Sequence, residues 1–274
     1  MQMEMNYFQK IANRAIKKSQ NIEREESKAD NTGLFYNKII KGAGIPNKFI
    51  DKTFKNYDSK PVYNDKVFDL TKKIKYLKEF ANSNKSDFVF LAGNVGNGKT
   101  HLAIATAKIL AYQKAKELNE LKPWDTNLTR NSRDSFPYMF FMDWRSDIKK
   151  IRNSYNSNES GLDIIRKMEL TEILIIDDMF ARSKISSSDL DDAFDLINYR
   201  YQRGKKTIIT SNETPDDFLM QLQPKDLRDY QYRPLEPKKL DLVTERLASR
   251  ILEACGGVIL EFDVPNYRFK KVCI

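Results

Sequence analysis

The chain contains 274 residues, of which 41% are hydrophobic and 31% are charged, with 10 glycines and 9 prolines. This composition excludes collagen-like, low-complexity and wholly disordered proteins, and the length is typical of one large domain or two smaller ones. The longest apolar runs, such as 88–92 and 173–176, are far shorter than the roughly 18 to 20 residues that cross a bilayer. The sequence begins without a basic, apolar secretory signal, so we expect a cytoplasmic protein.

Basic residues outnumber acidic residues by 47 to 38, a formal net charge of +9, and residues 1–60 hold 12 basic against 7 acidic residues. An excess of this kind suits nucleic acid or another acidic partner, and it also suits solubility alone. The two cysteines, Cys255 and Cys273, and the one histidine, His101, cannot build a zinc ribbon, a Cys-x-x-Cys pair or a disulfide framework. Any metal is therefore expected to arrive with a substrate.

The N-terminal region is predicted to contain a short basic helix and a linker. Apolar residues recur at near-helical spacing within 7–22, with basic residues between them, which predicts an amphipathic helix. The stretch 23–33 mixes charges with Asn and Gly, lacks apolar periodicity and is predicted as a linker. We expect the compact domain to start near Gly44. A helix that ends near Asn82 is predicted from four apolar residues on one face: Val67, Leu70, Ile74 and Leu77.

From residue 88 onward, short apolar strands alternate with helix-length segments. Strands are predicted at 88–92, 138–143, 172–177, 206–211 and 257–262. Helices are predicted near 99–118, 145–155, 160–169, 188–203 and 240–254. This alternation predicts a three-layer α/β fold with a parallel sheet. Two long polar stretches, 122–137 and 223–239, interrupt the pattern, and ordered loops of that length are uncommon unless they are functional.

The first core strand runs into a loop of the form G-x-x-x-x-G-K-T, and a helix-compatible sequence follows. The loop residues are Gly93, Asn94, Val95, Gly96, Asn97, Gly98, Lys99 and Thr100. In this context the loop predicts a triphosphate site, because glycines let backbone N–H groups wrap phosphates and a helix N-terminus attracts anions. Lys99 is expected to contact the β and γ phosphates of ATP, and the Thr100 hydroxyl to ligate Mg²⁺. We group His101 with the loop among the nucleotide-binding residues and interpret it as a first-turn residue rather than a catalyst.

Two carboxylates, Asp177 and Asp178, follow an apolar strand about 75 residues downstream. The C-terminal ends of buried strands are where sheets of this class bind ligands. Asp177 is therefore our candidate for the Mg²⁺ shell, and Asp178 the candidate to orient or deprotonate the attacking water. Asn212 follows the next strand and could hydrogen-bond both a water and a γ-phosphate; its alternative role is an Asx turn or a helix N-cap. Arg246 and Arg250, four residues apart on a predicted helix, are either solvated or reach a neighbouring subunit's nucleotide.

The order of these motifs resembles that of the AAA+ ATPases, and more narrowly the DnaC/DnaI-type replicative helicase loaders with the related IstB and DnaA proteins. The matching segments are 96–103, 174–178, 210–215, 245–250 and 266–268, with 44–46, 53–54, 143–145 and 152–155 as further similarities. The resemblance covers about residues 44–274. It implies a three-layer P-loop NTPase domain of the AAA+/ASCE class at 44–274, preceded by a short helical arm and linker at 1–43 that docks a helicase.

The resemblance also implies roles for individual residues. Asn212 would be sensor 1, Arg250 the arginine finger with Arg246 as its alternative, and Arg268 a contact to the nucleotide of the sensor-2 type. Four basic residues become candidates for contact with single-stranded DNA inside a spiral of subunits: Arg145, Lys149, Lys150 and Arg152. Trp144 and Tyr155 would stack on bases if they were exposed, although aromatic residues in this setting are more often core. Many AAA+ proteins have Asp-Glu where this chain has Asp177-Asp178, which leaves the rate of hydrolysis open.

Three functions fit this set of motifs. The first is a helicase loader, an ATPase with ATP and Mg²⁺ as cofactors and slow turnover that assembly or single-stranded DNA stimulates. Such a protein would self-associate through its ATP site, bind a hexameric replicative helicase and place it on single-stranded DNA. The second is an IstB-like transposition ATPase, which shares nearly all of the same motifs. The third is a nucleotide-gated adaptor or inhibitor with little hydrolysis, which the shorter acid at Asp178 favours.

Overall fold

The structure, a computed structural model, describes residues 30–83, 86–120, 137–154, 161–180, 187–215, 217 and 237–266. Within these ranges no helix combines the length and the apolar character that a membrane crossing requires. Several predictions fall outside the described residues: the basic helix within 7–22, nearly all of the two polar stretches, Tyr155 and Arg268.

Two sheets occur among the described residues. Strands β1 (Val62–Tyr63) and β2 (Lys66–Val67) form a small antiparallel hairpin. The central sheet contains β3 (Phe88–Gly93), β4 (Met139–Asp143), β5 (Ile173–Met179), β6 (Lys206–Ser211) and β7 (Ile259–Phe262). Its strands are all parallel and lie in the order β4-β5-β6-β3-β7. Each predicted strand is confirmed to within two residues.

Seven α-helices lie in the described part of the chain: α1 Thr32–Gly42, α2 Thr71–Asn82, α3 Lys99–Glu120, α4 Trp144–Ser154, α5 Gly161–Leu170, α6 Ser187–Gln202 and α7 Pro237–Ala254. The five helices predicted after residue 88 are confirmed to within three residues. The predicted polar stretch 223–239 extends too far, since α7 already begins at Pro237. A proline is well placed there, because the first residue of a helix has no hydrogen-bonding partner for its N–H.

The sheet is covered on both faces, which confirms the predicted three-layer arrangement. Successive side chains of a strand point to opposite faces, and β3 illustrates the division. Val89 and Leu91 pack in a cluster with α1, α2 and α3. Phe88 and Phe90 pack in a second cluster with α4, α6 and α7. Because both faces are buried, β3, β4 and β5 carry runs of consecutive apolar residues rather than an alternating pattern, as is typical of parallel sheets.

The structure corrects two predictions about the region before the sheet. Helix α1 lies within the predicted arm, yet Ile39 and Ile40 are buried, and the Phe141 N–H in β4 donates to the Ala43 carbonyl at 2.8 Å. The packed region therefore begins near Thr32, before the predicted start at Gly44, and the predicted linker 23–33 overlaps the first turn of this helix. Val67 does not belong to α2, because it lies exposed in the hairpin. A docking role for the rest of the arm stays a prediction.

Candidate functional site

The glycine loop joins β3 to α3 with backbone angles that require glycine. Gly98 has a φ of 88°, and a Cβ on it would lie 2.6 Å from Cε2 of Tyr57. Gly93 has a φ of 134°, and a Cβ there would strike the carbonyl of Phe262. Residues with side chains rarely adopt such angles, and neither position has room for one. The loop is thus packed tightly on both flanks.

The Lys99 side chain is buried in the middle of this loop. Its amine donates to the carbonyls of Gly93 at 2.6 Å and Asn94 at 2.8 Å. It also donates to the Oδ1 atoms of Asn97 at 3.2 Å and Asn212 at 3.3 Å. The loop therefore curls around a positive charge that lies within reach of any anion bound to the loop's N–H groups.

Asn97 of the loop is held by hydrogen bonds from two sides, one to β7 and one to Tyr57. Asn97 is fully buried, and its Nδ2 donates to the Phe262 carbonyl in β7 at 2.7 Å. From the other side, the Tyr57 hydroxyl donates to the Asn97 carbonyl at 3.1 Å, and the Tyr57 ring packs edge-on against His101. Burial lowers the pKa of His101, whose Nε2 lies 2.8 Å from the Thr53 carbonyl. His101 occupies the first helical turn, as the sequence predicts, and Tyr57 is a site residue that no motif identified.

Asp177 and Asp178, near the end of β5, both face the loop because the strand bulges at this point. Side chains of consecutive residues in a regular strand would point to opposite faces. Here the register with β6 shifts between Ile176 and Met179, and Asp178 has a left-handed φ of 56°. A bulge re-aims a side chain in this way, and Asp is one of the few residue types enriched in left-handed backbone.

Asp177 contacts the other predicted metal ligand directly. Its Oδ1 accepts hydrogen bonds from the hydroxyls of Thr100 and Thr210, both at 2.8 Å. Burial raises the pKa of Asp177, and these two donors oppose that shift. A hydroxyl and a carboxylate are hard oxygen ligands of the kind that Mg²⁺ prefers, so this pair fits the ion. Thr210 lies near the end of β6, two residues before Asn212, and sequence reasoning assigned it no role.

Asn212 links the loop lysine to the second aspartate. Its Nδ2 donates to Oδ1 of Asp178 at 2.9 Å, while its own Oδ1 accepts from Lys99. Burial raises the pKa of Asp178, and the positive charge of Lys99 opposes the shift. The capping role considered for Asn212 is filled by Thr214, whose hydroxyl accepts from the Asp217 N–H at 3.1 Å.

Three of the four candidate DNA contacts are exposed on α4: Arg145, Lys149 and Lys150. Lys150 forms an ion pair with Asp147 at 2.7 Å. The side chain of Arg152 lies outside the described residues. Trp144 is 1% exposed and packs edge-on against Phe180, so it is part of the core and has no face for a base. DNA binding by α4 stays a prediction.

Both candidate arginine fingers lie against α6 of their own chain. Arg250 donates to Oε2 of Glu253 at 2.7 Å, and its guanidinium lies 4.8 Å from the ring centre of Tyr201. The guanidinium of Arg246 lies 4.8 Å from the ring centre of Phe194. These contacts describe a single subunit, and a role toward a neighbouring subunit stays a prediction for both residues.

One curated relative shares part of this sequence. Over 130 residues, the chain is 32% identical to the chromosomal replication initiator protein DnaA of Flavobacterium psychrophilum. The match covers 47% of this chain and 22% of that protein, so the shared region is about a fifth of the relative's length. No family model matches the sequence.

Solved structures share the fold at low sequence identity. The structure of DnaI superposes with a TM-score of 0.52 at 16% identity, covering 84% of this chain and 98% of that one. Domain III of the replication initiation protein DnaA from Thermotoga maritima gives a TM-score of 0.50 at 18% identity, covering 78% and 68%. The chain has the AAA+ P-loop NTPase fold, which confirms at the level of the fold the resemblance to DnaC/DnaI-type ATPases.

Proposed function

We propose that this chain is an ATP-dependent loader that binds a hexameric replicative helicase and places it on single-stranded DNA. One observation carries the proposal: five polar side chains of four chemical types converge at the carboxyl edge of the sheet, namely Lys99, Thr100, Asp177, Asp178 and Asn212. The fold shared with DnaI and the sequence similarity to a DnaA protein support a role in DNA replication.

In the proposed reaction, water attacks the γ-phosphorus of ATP and releases ADP and phosphate. Lys99 binds the β and γ phosphates through the amine that otherwise donates to the loop carbonyls. Thr100 and Asp177 would hold Mg²⁺ through their side-chain oxygens. Bound there, the ion would neutralise negative charge on the phosphate oxygens. Because the two oxygens already lie 2.8 Å apart, little rearrangement of the protein is needed.

Asp178 is the proposed acceptor for the attacking water. Burial raises the pKa of its carboxyl group, and a carboxylate with a raised pKa takes up a proton more readily. Asn212 holds Oδ1 of this carboxylate at 2.9 Å and leaves Oδ2 for the water. The same amide contacts Lys99, so the base and the phosphate-binding lysine share one neutral side chain.

A pair of variants tests the ATPase part of the proposal. Lys99→Ala should abolish ATP binding in a titration while the circular dichroism spectrum stays unchanged. Asp178→Asn should keep ATP binding and lose hydrolysis, because an amide donates and accepts hydrogen bonds but is a poor base. Hydrolysis by the unmodified chain that rises with single-stranded DNA supports a loader over a nucleotide-gated adaptor. Unchanged ATP affinity in Lys99→Ala would contradict the site.

A helicase capture experiment tests the loader assignment itself. The truncation should remove residues 1–29 and keep α1, because Ile39 and Ile40 belong to the core and a cut at 43 would expose it. We expect the full chain, with ATP and Mg²⁺, to retain a cognate hexameric helicase and the 30–274 chain to lose it. Capture that ignores the truncation excludes the arm as the docking element. Stable assembly around duplex DNA instead would favour the IstB-like alternative.

Mixed subunits test whether ATP sites are completed by a neighbour. Arg250→Ala and Lys99→Ala each should hydrolyse little ATP alone. Mixing them should restore part of the activity if Arg250 acts across an interface, since some sites then combine an intact loop with an intact arginine. The same mixture with Arg246→Ala is the matched comparison. Absence of rescue at every mixing ratio argues against a finger role for the arginine tested.

A further inference from the structure

A second concave surface lies at the edge of the sheet opposite the glycine loop. This cleft has a volume of about 660 Å³ and lies between the end of α2, the second half of α3 and the starts of β5 and β6. Five cationic side chains line it against two acidic ones: Lys114, Lys116, Arg203, Lys205 and Lys206, with Glu117 and Glu172. We call it the basic cleft.

The two acidic residues of the basic cleft are both engaged by one lysine. Lys114 forms ion pairs with Glu117 at 3.2 Å and Glu172 at 3.1 Å. Lys205 instead donates to a backbone carbonyl, that of Leu170, at 2.8 Å. Burial and the nearby charges of Arg200 and Arg203 lower the pKa of Lys205, while Glu172 opposes that shift. Positive charge therefore exceeds negative charge along this wall.

The two most exposed cations of the basic cleft rest on aromatic rings. The Lys116 amine lies 5.0 Å from the ring centre of Tyr112, and the Arg203 guanidinium lies 3.7 Å from that of Tyr199. An aromatic ring carries no net charge, so these contacts do not neutralise either cation; the nearby acids are Asp30 for Lys116 and Glu169 for Arg203. The rim of the cleft thus presents cations that suit an acidic ligand.

The described chain begins at this rim. The Asn31 N–H donates to Oδ1 of Asn119, near the end of α3, at 2.9 Å. The pKa of Asp30 is lowered, chiefly by its hydrogen bonds with Thr32 and also by the charge of Lys116. An extended chain covers at most about 3.5 Å per residue, so four residues of chain keep Glu26 no farther than about 14 Å from Asp30.

Three segments of the chain adjoin the cleft in sequence, and residues 23–30 differ from the other two in their net negative charge. Residues 23–30 contain four acidic and two basic side chains, including three glutamates within 23–26. Residues 84–85 and 121–136, which leave α2 and α3 beside the cleft, each carry a net charge of +1. We propose that the acidic stretch 23–26 docks in the basic cleft of its own chain, with Lys116 and Arg203 as its main partners. The contact restrains the N-terminal arm beside the ATPase body, and it does not depend on the proposed function.

Trypsin sensitivity of the full chain tests this contact, because Arg24 and Lys28 lie within and next to the docked stretch. Cleavage at these two bonds is followed by mass spectrometry at about 0.05 M salt, where charge screening is weak. Trypsin cleaves only those molecules in which the stretch 23–26 is undocked. Loss of two ion pairs should increase that undocked fraction, and with it the cleavage rate, about 3- to 30-fold. We expect this increase in Lys116→Gln/Arg203→Gln and, independently, in Glu25→Gln/Glu26→Gln. A variant that combines all four substitutions should be cleaved no faster than either double variant, because each double variant already breaks the same contact.

Lys48→Gln/Lys72→Gln is the matched control, since both lysines are exposed, Lys48 also rests on an aromatic ring, and neither lines the cleft. This control should be cleaved at the wild-type rate, and thermal unfolding of all variants should be unchanged. Equal cleavage of wild type and Lys116→Gln/Arg203→Gln overturns the proposal. If that variant also loses binding to single-stranded DNA, the cleft holds nucleic acid instead. Additive effects in the four-site variant would also contradict a shared contact.

Discussion

Replacing Asp177 by Asn should stabilise the fold while it removes the proposed Mg²⁺ ligand. The Asp177 carboxylate is buried, and burial raises its pKa, which means that the folded state disfavours the charged form. Asn keeps Oδ1, which accepts hydrogen bonds from Thr100 and Thr210, and removes the charge. Removing an unfavourable buried charge from a functional site typically adds about 1 kcal/mol to the free energy of unfolding. For a chain of this size, that corresponds to a Tm increase of about 2 to 4 °C.

The gain should depend on pH with a definite sign. Between the unfolded pKa of Asp177 and its raised folded pKa, the folded chain binds more protons than the unfolded chain. Stability contributed by this group is therefore present at low pH and is lost as pH rises through the folded pKa. Below that range Asp177 is protonated and neutral, like Asn. The difference between wild type and Asp177→Asn should accordingly be largest at neutral pH and shrink on acidification.

Thermal unfolding without nucleotide or Mg²⁺, from about pH 7.5 down to about pH 3.5 and thus past the ordinary Asp pKa, measures this difference. Asp69→Asn is the matched control, because hydrogen bonds with Thr71 lower the pKa of Asp69 and give the opposite sign. That variant should gain no stability at any pH in the series. A lower Tm for Asp177→Asn at neutral pH, or a gain of the same size at every pH, would refute the assigned cost of the buried charge.

Three further substitutions test other parts of the site and its support. Gly98→Ala should weaken ATP binding at least about tenfold by titration, because the loop must shift away from Tyr57 and from a φ of 88°. Asp178→Glu should lower the free energy of unfolding in urea by about 1 kcal/mol relative to Asp178→Asn, since Glu tolerates left-handed backbone less well. Arg200→Lys should cost about 3 kcal/mol in the same assay, because the fully buried guanidinium donates five hydrogen bonds and an amine offers fewer donors. A cost under about 1 kcal/mol would show that water replaces the lost donors.

The sequence predicts the sheet and its helices well because each element is long and strongly patterned. Strands such as 88–92 are apolar throughout, so their limits agree with the structure to within one residue. Helix α1 was missed for the opposite reason. It is short, it follows a polar stretch, and its buried residues Ile39 and Ile40 become recognisable only when α3 and β4 supply their partners. The hairpin around Val67 was missed because two-residue strands carry no periodic signal.

The motifs located the chemical groups of the site but not the contacts that position them. The glycine loop and the two aspartates at the strand end could be recognised because the residues of each motif are neighbours in the sequence. Tyr57 and Thr210 were not, since Tyr57 meets the loop across 40 residues and Thr210 meets Asp177 across 33. The bulge that turns Asp178 toward Asn212 was equally hidden, because it arises from the register between two strands. It also gives a physical reason for Asp at this position, where left-handed backbone disfavours Glu.

Asn212 lies between the lysine proposed to bind phosphate and the proposed hydrolytic acid. Its amide accepts a hydrogen bond from Lys99 with one atom and donates to Asp178 with the other, and it does so without adding charge. A carboxylate there would add a third acid beside Asp177 and Asp178, and an amine would have no acceptor for Lys99. When the Lys99 amine turns toward a phosphate, Asn212 loses a donor and Asp178 loses a nearby cation. In the proposed reaction, Asp178 would therefore respond to phosphate binding through contacts that exist within one subunit.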